Sequence, residues 1–376
     1  MSPGASAEVT AHGNRPLSTL LSQVVIAFTI ELDNEFERRF REAGAGARVT
    51  SLTIWSNLLR FVGGGLTVRE LANAVGLPKP SVLSRIGGVE RWGYVSVGPS
   101  TVKRDGYGSA RGVKDELLVQ PTLAGRRAAG IWPTLPDEIE TRWWERLGAD
   151  EIDELAGALR AIDGVIEADL PEYLPIVSST HDMALEVGHA TSSRDGDLSL
   201  VFLLAHALMA YTLDFEERSA LSLPLSANVF RVLGGEPVPV RELPSRTGIS
   251  REAVAVSLTS LARTEYALVK GAPASKRTIR LTPAGEMLRA DLHDLHARIE
   301  RGWETRFGTH AVGRLRVALE RILDHPELPA GLTPYPDGWR ATKPYAQQTQ
   351  AVLADPRGRL PHHPMALHRG GWPDGS

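Results

Sequence analysis

Cysteine is absent from this chain of 376 residues. Disulfides, zinc–thiolate sites, iron–sulfur clusters and a cysteine nucleophile are therefore excluded. An apolar run long enough to span a bilayer, about 20 residues, is also missing, because the most apolar stretch, 198–213, is shorter and contains His206. Residues 1–15 lack the basic and apolar regions of a signal peptide. We expect a cytoplasmic protein without membrane contact.

The sequence patterns of common enzyme classes are missing as well. The chain has no phosphate-binding glycine loop with its lysine, no Gly-x-Gly-x-x-Gly, no Gly-x-Ser-x-Gly and no His-Glu-x-x-His. His362, His363 and His368 are not spaced to place metal ligands on one helix face. We therefore predict no enzymatic activity, no cofactor and no metal.

Positive charge is not in excess, since 42 Lys and Arg stand against 45 Asp and Glu, a net charge of −3. A protein that is basic throughout is excluded, so any surface that binds nucleic acid must be local. The length suits two domains of roughly 150 residues with connections.

An internal repeat organises the chain. Residues 68–97 and 240–269 are identical at nine of 30 positions. Three stretches recur in the same order: residues 26–31, 68–97 and 138–148 match residues 209–214, 240–269 and 298–308. The pattern predicts a flexible N-terminus (1–16), a first repeat (17–162), a connector (163–197), a second repeat (198–324) and an irregular tail (325–376) that caps one domain.

The first repeat contains a predicted pair of helices joined by a tight turn. Thr67 and Glu70 have the spacing of a capping box, which starts a helix that runs to Val75. Gly76 supplies the turn, and Pro80 fits the first turn of a second helix. Val82, Ile86 and Val89 then share the face that we expect in the core.

The exposed face of that second helix and the loop after it are candidates for DNA contact. Strands at 93–97 and 117–120 would enclose a basic loop, or wing, whose glycines allow it to follow a minor groove. The predicted contacts of the first repeat are Lys79, Ser81, Ser84 and Arg85 on the helix and Lys103, Arg104, Arg111 and Lys114 in the wing.

The second repeat has the same plan with fewer polar groups on its reading helix. Alanine and valine there offer methyl contacts, so we expect weaker base discrimination on this side and an asymmetric operator. The predicted contacts are Arg251 and Ser257 on the helix and Lys276 and Arg277 in a shorter wing.

These elements resemble the MarR family of winged-helix transcription regulators. The resemblance rests on the helix order, on Gly93-Tyr94 after the reading helix, and on Leu123-Ala124-Gly125 and Leu281-Thr282-Pro283-Ala284-Gly285 after the wings. It implies an α+β, mostly α fold with two tandem winged-helix domains and long dimerisation-type helices. Segments 28–40, 143–162, 200–215 and 303–323 would form the dimer-type interface within one chain.

The resemblance implies a regulator that binds double-stranded DNA at an imperfect inverted repeat. One monomer would act as a pseudo-dimer, and further oligomerisation stays open. Family members often bind small aromatic effectors, for which Trp55, Trp132 and Trp144 are candidates. Trp143 and Trp303 occupy matching positions, and packing of the helical interface is the favoured interpretation for both.

Two other hypotheses remain. One is a winged-helix module that binds protein because one or both reading faces have lost DNA contact. The other is the winged-helix dimerisation region of a small-molecule methyltransferase, although the catalytic half is missing from this chain. DNA binding that weakens steeply with salt would favour the regulator.

Overall fold

The computed structural model describes residues 15–44, 50–99, 117–175, 198–328 and 354–364. Most of them are helical, and the strands form two small antiparallel sheets, in agreement with the predicted α+β, mostly α class. Within these ranges, no helix combines the length and apolar character required to cross a bilayer.

The first half contains α1 (Leu17–Glu42), α2 (Leu52–Asn57), β1 (Leu66–Thr67), α3 (Val68–Val75), α4 (Lys79–Arg91), β2 (Val95–Pro99), β3 (Leu117–Pro121), α5 (Leu123–Ile131), α6 (Leu135–Leu147) and α7 (Ala149–Asp163). The second half contains α8 (Leu200–Glu216), a π-turn (Leu223–Ala227), α9 (Asn228–Phe230), β4 (Val238–Pro239), α10 (Leu243–Thr247), α11 (Arg251–Arg263), β5 (Ala267–Lys270), β6 (Thr278–Leu281), α12 (Pro283–Phe307) and α13 (Thr309–Asp324). A short helix, α14 (Pro356–Arg359), follows.

The two sheets have the same topology, with orders β1-β3-β2 and β4-β6-β5. Val97 lies opposite Val119 in the first sheet, and Val269 lies opposite Ile279 in the second. The sequence did not predict β1 or β4, because a strand of two residues is too short for an alternating pattern. We call residues 52–121 the first lobe and residues 223–281 the second lobe.

The predicted start of the first lobe's helix pair is confirmed. The Glu70 amide donates to Thr67 Oγ1 at 3.2 Å, and Glu70 Oε2 accepts from the Thr67 amide at 2.8 Å. Gly76 ends α3 with φ 67°, and Gly248 ends α10 with φ 75°. Both turns use the left-handed backbone region that favours glycine.

The Thr-x-x-Gly sequence after each sheet has a steric explanation. Thr122 and Thr282 cap the next helix, because their hydroxyl oxygens accept from the amides of Gly125 and Gly285 at 3.2 and 3.1 Å. A methyl group on either glycine would overlap a backbone carbonyl oxygen, that of Tyr94 or Tyr266. The helix can therefore approach the lobe closely only if glycine stands there.

Replacement of Gly125 or Gly285 by alanine should lower the free energy of unfolding by roughly 1–3 kcal/mol, because the added methyl group forces backbone apart. The control is Gly302→Ala in α12, where a Cβ would meet no atom within 4 Å. That change should stabilise the protein by about 0.5–1 kcal/mol, since alanine is the better helix former. Urea unfolding measures all three variants, and equal effects at the three positions would contradict the steric account.

The long helices of the two halves pack against each other, α1 against α8 and α7 against α13. In each half, a glutamate side chain accepts a hydrogen bond from the N-terminal amide of the other half's first helix. The Leu17 amide donates to Glu300 Oε1 at 2.6 Å, and the Leu200 amide donates to Glu140 Oε2 at 2.8 Å. Because Glu140 and Glu300 occupy matching positions, the two contacts are related as in a two-fold interface.

One ion pair joins equivalent positions of the two halves. Glu154 of α7 accepts from Arg314 of α13 in two hydrogen bonds of 2.7 Å, and the repeat aligns these two residues with each other. In a dimer of identical subunits the same position would bring together two like charges. This ion pair therefore exists only because the two halves differ in sequence at this position.

Two matched tryptophans anchor the penultimate helices to the first helices. Trp143 Nε1 donates to Glu31 Oε1 at 2.8 Å, and Trp303 Nε1 donates to Asp214 Oδ2 at 2.7 Å. Trp143 also packs against Phe28, with ring centroids 4.9 Å apart, and Trp303 packs against Tyr211 at 5.4 Å. Both indoles are buried between helices, and each of these contacts lies within its own half of the chain.

A cluster of arginines surrounds Glu35 between α1 and α6. Burial on its own would raise the pKa of this carboxyl, but hydrogen bonds from Arg38, Arg142 and Arg39 outweigh it and lower the pKa to about 2. A carboxylate whose folded pKa is depressed stabilises the fold above its unfolded pKa, near 4.5, and the contribution is lost as pH falls towards 2.

We expect Glu35→Gln to lower the free energy of unfolding by about 1–2 kcal/mol at pH 7, after allowance for solvent screening. The deficit should become small near pH 2, where the native carboxyl is about half protonated. Glu42→Gln is the control, because Glu42 is exposed and contacts the same Arg38. Urea unfolding at pH 7, 4 and 2.5 tests this, and a deficit independent of pH would contradict it.

Candidate nucleic-acid interface

Helix α11 presents a polar face at its N-terminal end. Ser250 caps the helix by accepting from the Ala253 amide at 3.1 Å. Ala253, Val254 and Leu261 are buried, which leaves Arg251 exposed in the first turn. The arginine thus stands where the partial positive charge of the helix terminus adds to its own.

The strand pair after α11 carries further exposed cations. The Val240 amide donates to Arg277 O at 3.0 Å, which fixes the end of the strand pair beside the start of the lobe's helices. The exposed cations of this hairpin are Lys270, Lys276, Arg277 and Arg280.

None of these four side chains, nor that of Arg251, forms an ion pair within the described residues. Residues 231–281 contain nine Lys or Arg and four Glu, and so carry a net charge of +5 in a chain whose total is −3. The second lobe therefore carries an excess of positive charge in a chain that is net acidic, as local binding to a polyanion requires.

Two of these cations were not among the predicted contacts. Arg280 lies on β6 between Ile279 and Leu281, which are both buried, so the alternation of a strand places Arg280 outside. Lys270 ends β5 and is exposed. The alternation over 278–281 was the signal from which Arg280 could have been predicted.

In the first lobe, the predicted exposure of α4 is only partly correct. Ser84 is exposed and Lys79 is half-buried. Ser81 and Arg85 are buried, and the prediction that they lie on the exposed face is wrong. They are one helical turn apart beside Val82 and Ile86, and the buried arc of α4 is wide enough to include them.

Ser257 is also buried, contrary to its predicted place on the reading face. Its hydroxyl donates to Leu225 O and to Ala253 O. It therefore provides a hydrogen-bond donor for a carbonyl oxygen of the π-turn, which packs against α11. The sequence did not reveal this, because the π-turn has no pattern of its own. The predicted wing contacts Lys103, Arg104, Arg111 and Lys114 lie outside the described residues.

Two of the three predicted effector residues, Trp55 and Trp132, are stacked on each other, and the third, Trp144, is exposed. Trp132 is buried and stacks on Phe36, with ring centroids 4.3 Å apart. The ring centroid of Trp55 lies 6.3 Å from that of Trp132. Trp144 is 46% exposed, because it follows Trp143 and points away from the core. Trp132 Nε1 has no hydrogen-bond acceptor among the described residues. Effector binding stays a prediction.

No family model matches the chain, and no curated protein matches it at a significant level. The functional argument therefore depends on the charge and geometry of the two lobes.

Proposed function

We propose that the chain is a transcription regulator of MarR type that binds double-stranded DNA and carries two winged-helix domains in tandem. The observation that carries the proposal is the exposed cationic face of the second lobe, formed by Arg251 on α11 and by the β5–β6 hairpin. DNA-reading helices of this class enter the major groove by their N-terminal end, which is where Arg251 lies.

The two parts of this face suit different parts of a duplex. Arg251 in the first helical turn can reach base edges or phosphates in the major groove, which is wide enough for an α-helix. The hairpin cations can bind phosphates or enter the adjacent minor groove. Contacts of the first kind select sequence, and those of the second kind add affinity and orientation.

The paired halves support a single chain that supplies both reading heads. The reciprocal caps by Glu140 and Glu300 and the Glu154–Arg314 pair hold the two halves in a two-fold-like arrangement. Two heads related in this way fit an inverted repeat whose half-sites lie about one helical turn, roughly 34 Å, apart. Because the two reading faces differ in sequence, the half-sites should differ as well.

A titration of the purified chain against genomic fragments that include its own upstream region tests the proposal. If four phosphates are contacted, affinity should fall on the order of 100-fold between 50 and 200 mM salt. Selection of a fragment that retains this salt dependence supports the regulator. Failure to bind any DNA, at any salt concentration, would favour the protein-interaction module instead.

A further inference from the structure

The segment 354–364 packs against the turn that precedes the second reading helix. Arg359 Nη1 donates to Ser245 O of α10 at 2.6 Å. The carbonyl oxygen of Arg359 occupies the space that a side chain at Gly248 would need. Gly248 therefore serves both the left-handed turn and the close approach of this segment.

The next residues of the segment are held by one buried amide of the second lobe. Asn228 Nδ2 donates to His363 O at 3.1 Å, and Asn228 Oδ1 accepts from the amides of His362 and His363 at 2.9 and 3.1 Å. Asn228 is 2% exposed. Its side-chain amide thus both donates and accepts hydrogen bonds with the backbone of the segment, as the backbone of a neighbouring β-strand would.

The same residues also reach the long helices. The ring of His363 stacks on that of His296 in α12, with centroids 5.9 Å apart and planes 6° from parallel. His296 Nδ1 is in turn 2.8 Å from Tyr211 Oη of α8. The segment therefore contacts the second lobe on one side and the long helices on the other.

The first half has a counterpart in the residues that follow α7. Asn57 Nδ2 donates to Leu174 O at 2.8 Å, and Glu172 pairs with Arg60. Tyr173 Oη forms a hydrogen bond with Thr29 Oγ1 of α1. Two segments of unrelated sequence thus connect a lobe to a long helix in equivalent parts of the molecule.

From these contacts, we propose that residues 354–364 form a clamp that sets the orientation of the second lobe relative to the long helices. Release of the clamp would let the lobe move while the helical core stays folded. The consequence for DNA rests on the proposed function: a clamped lobe demands one half-site spacing, whereas a released lobe tolerates several.

The surroundings of the segment are consistent with a clamp that stays docked only while its buried histidine side chains are uncharged. Burial lowers the pKa of His296 to about 4 and that of His362 to about 3, with further lowering by His293, Arg231 and Arg15, and it places the pKa of His363 well below its usual value. Because the docked state disfavours a protonated histidine, it loses stability as pH falls from about 6.5 towards 4.

Hydrogen exchange on the full chain and on two truncated chains tests the clamp. Truncation after Leu353 removes the segment, and truncation after Pro364 keeps it. Loss of the segment should accelerate amide exchange in residues 243–250 at least tenfold and leave residues 68–78 unchanged. A synthetic peptide spanning 354–364 should restore protection when added to the shorter chain.

Point variants keep the test valid if the shorter chain folds poorly. Asn228→Ala should accelerate exchange in residues 243–250 alone, and Asn57→Ala should accelerate it in residues 68–78 alone. Equal exchange in the full chain, both truncated chains and Asn228→Ala would overturn the clamp, and so would a loss of protection spread over both halves in Asn228→Ala.

A DNA readout separates the clamp from the proposed function. On a selected operator, Asn228→Ala should reduce at least fivefold the preference for the native half-site spacing over one changed by two base pairs. An unchanged preference overturns the effect on spacing. If no operator is found, the proposed function fails, and the exchange data still decide whether the clamp exists.

Discussion

Replacement of Arg251, Lys276 and Arg277 by alanine should lower the affinity for operator DNA on the order of 100-fold. The three side chains are exposed, Arg251 at the N-terminal end of α11 and Lys276 and Arg277 at the end of the hairpin. Each lost contact should cost about 1 kcal/mol, and 1.4 kcal/mol corresponds to a factor of ten. A fluorescence anisotropy titration at one fixed salt concentration measures the change, and the salt dependence should become shallower.

The control for this variant removes the same charge from another part of the second half. Arg298, Arg301 and Arg306 are exposed towards the C-terminal end of α12, roughly 20–30 Å along the helix from Gly285, where α12 touches the lobe. Alanine at these three positions should change affinity less than threefold. If both triple variants lost affinity equally, net charge alone would explain binding, and the assigned face would be wrong.

Trp143→Ala and Trp303→Ala should each lower the free energy of unfolding by about 3–5 kcal/mol. Each substitution leaves a cavity the size of an indole between the long helices and removes the N–H donor to Glu31 or Asp214. Because the two residues occupy equivalent positions, the two losses should be similar. Thermal and urea unfolding measure both variants.

Trp144→Ala is the matched control, since this neighbour of Trp143 is 46% exposed. A surface substitution of this kind should change the free energy of unfolding by no more than about 0.5 kcal/mol. If Trp144→Ala cost as much as Trp143→Ala, or if only one of the two matched variants were destabilised, the equivalence of the halves would be contradicted.

The sequence alone was sufficient for the features that depend on local chemistry. The capping box at Thr67 and the tight turn at Gly76 follow from short patterns. These features are local because a cap, a turn or an apolar period involves residues within a few positions of each other.

The features that were missed depend on contacts between distant segments. Ser257 is buried because the π-turn 223–227 lies on it, and no pattern predicts that turn. Arg85 and Ser81 are buried because α4 has neighbours on more than one side. Residues 354–364 were expected only to cap one domain in an irregular tail, whereas their contacts with Asn228 and Gly248 are visible only in three dimensions.

The most direct test of the central claim is the mass of the protein–DNA complex, determined in the buffer used for binding. One chain should occupy one operator with two half-sites, and a footprint of that complex should protect both half-sites on one face of the duplex. Two chains on such an operator, or protection of a single half-site by one chain, would contradict the account of one polypeptide with two reading heads.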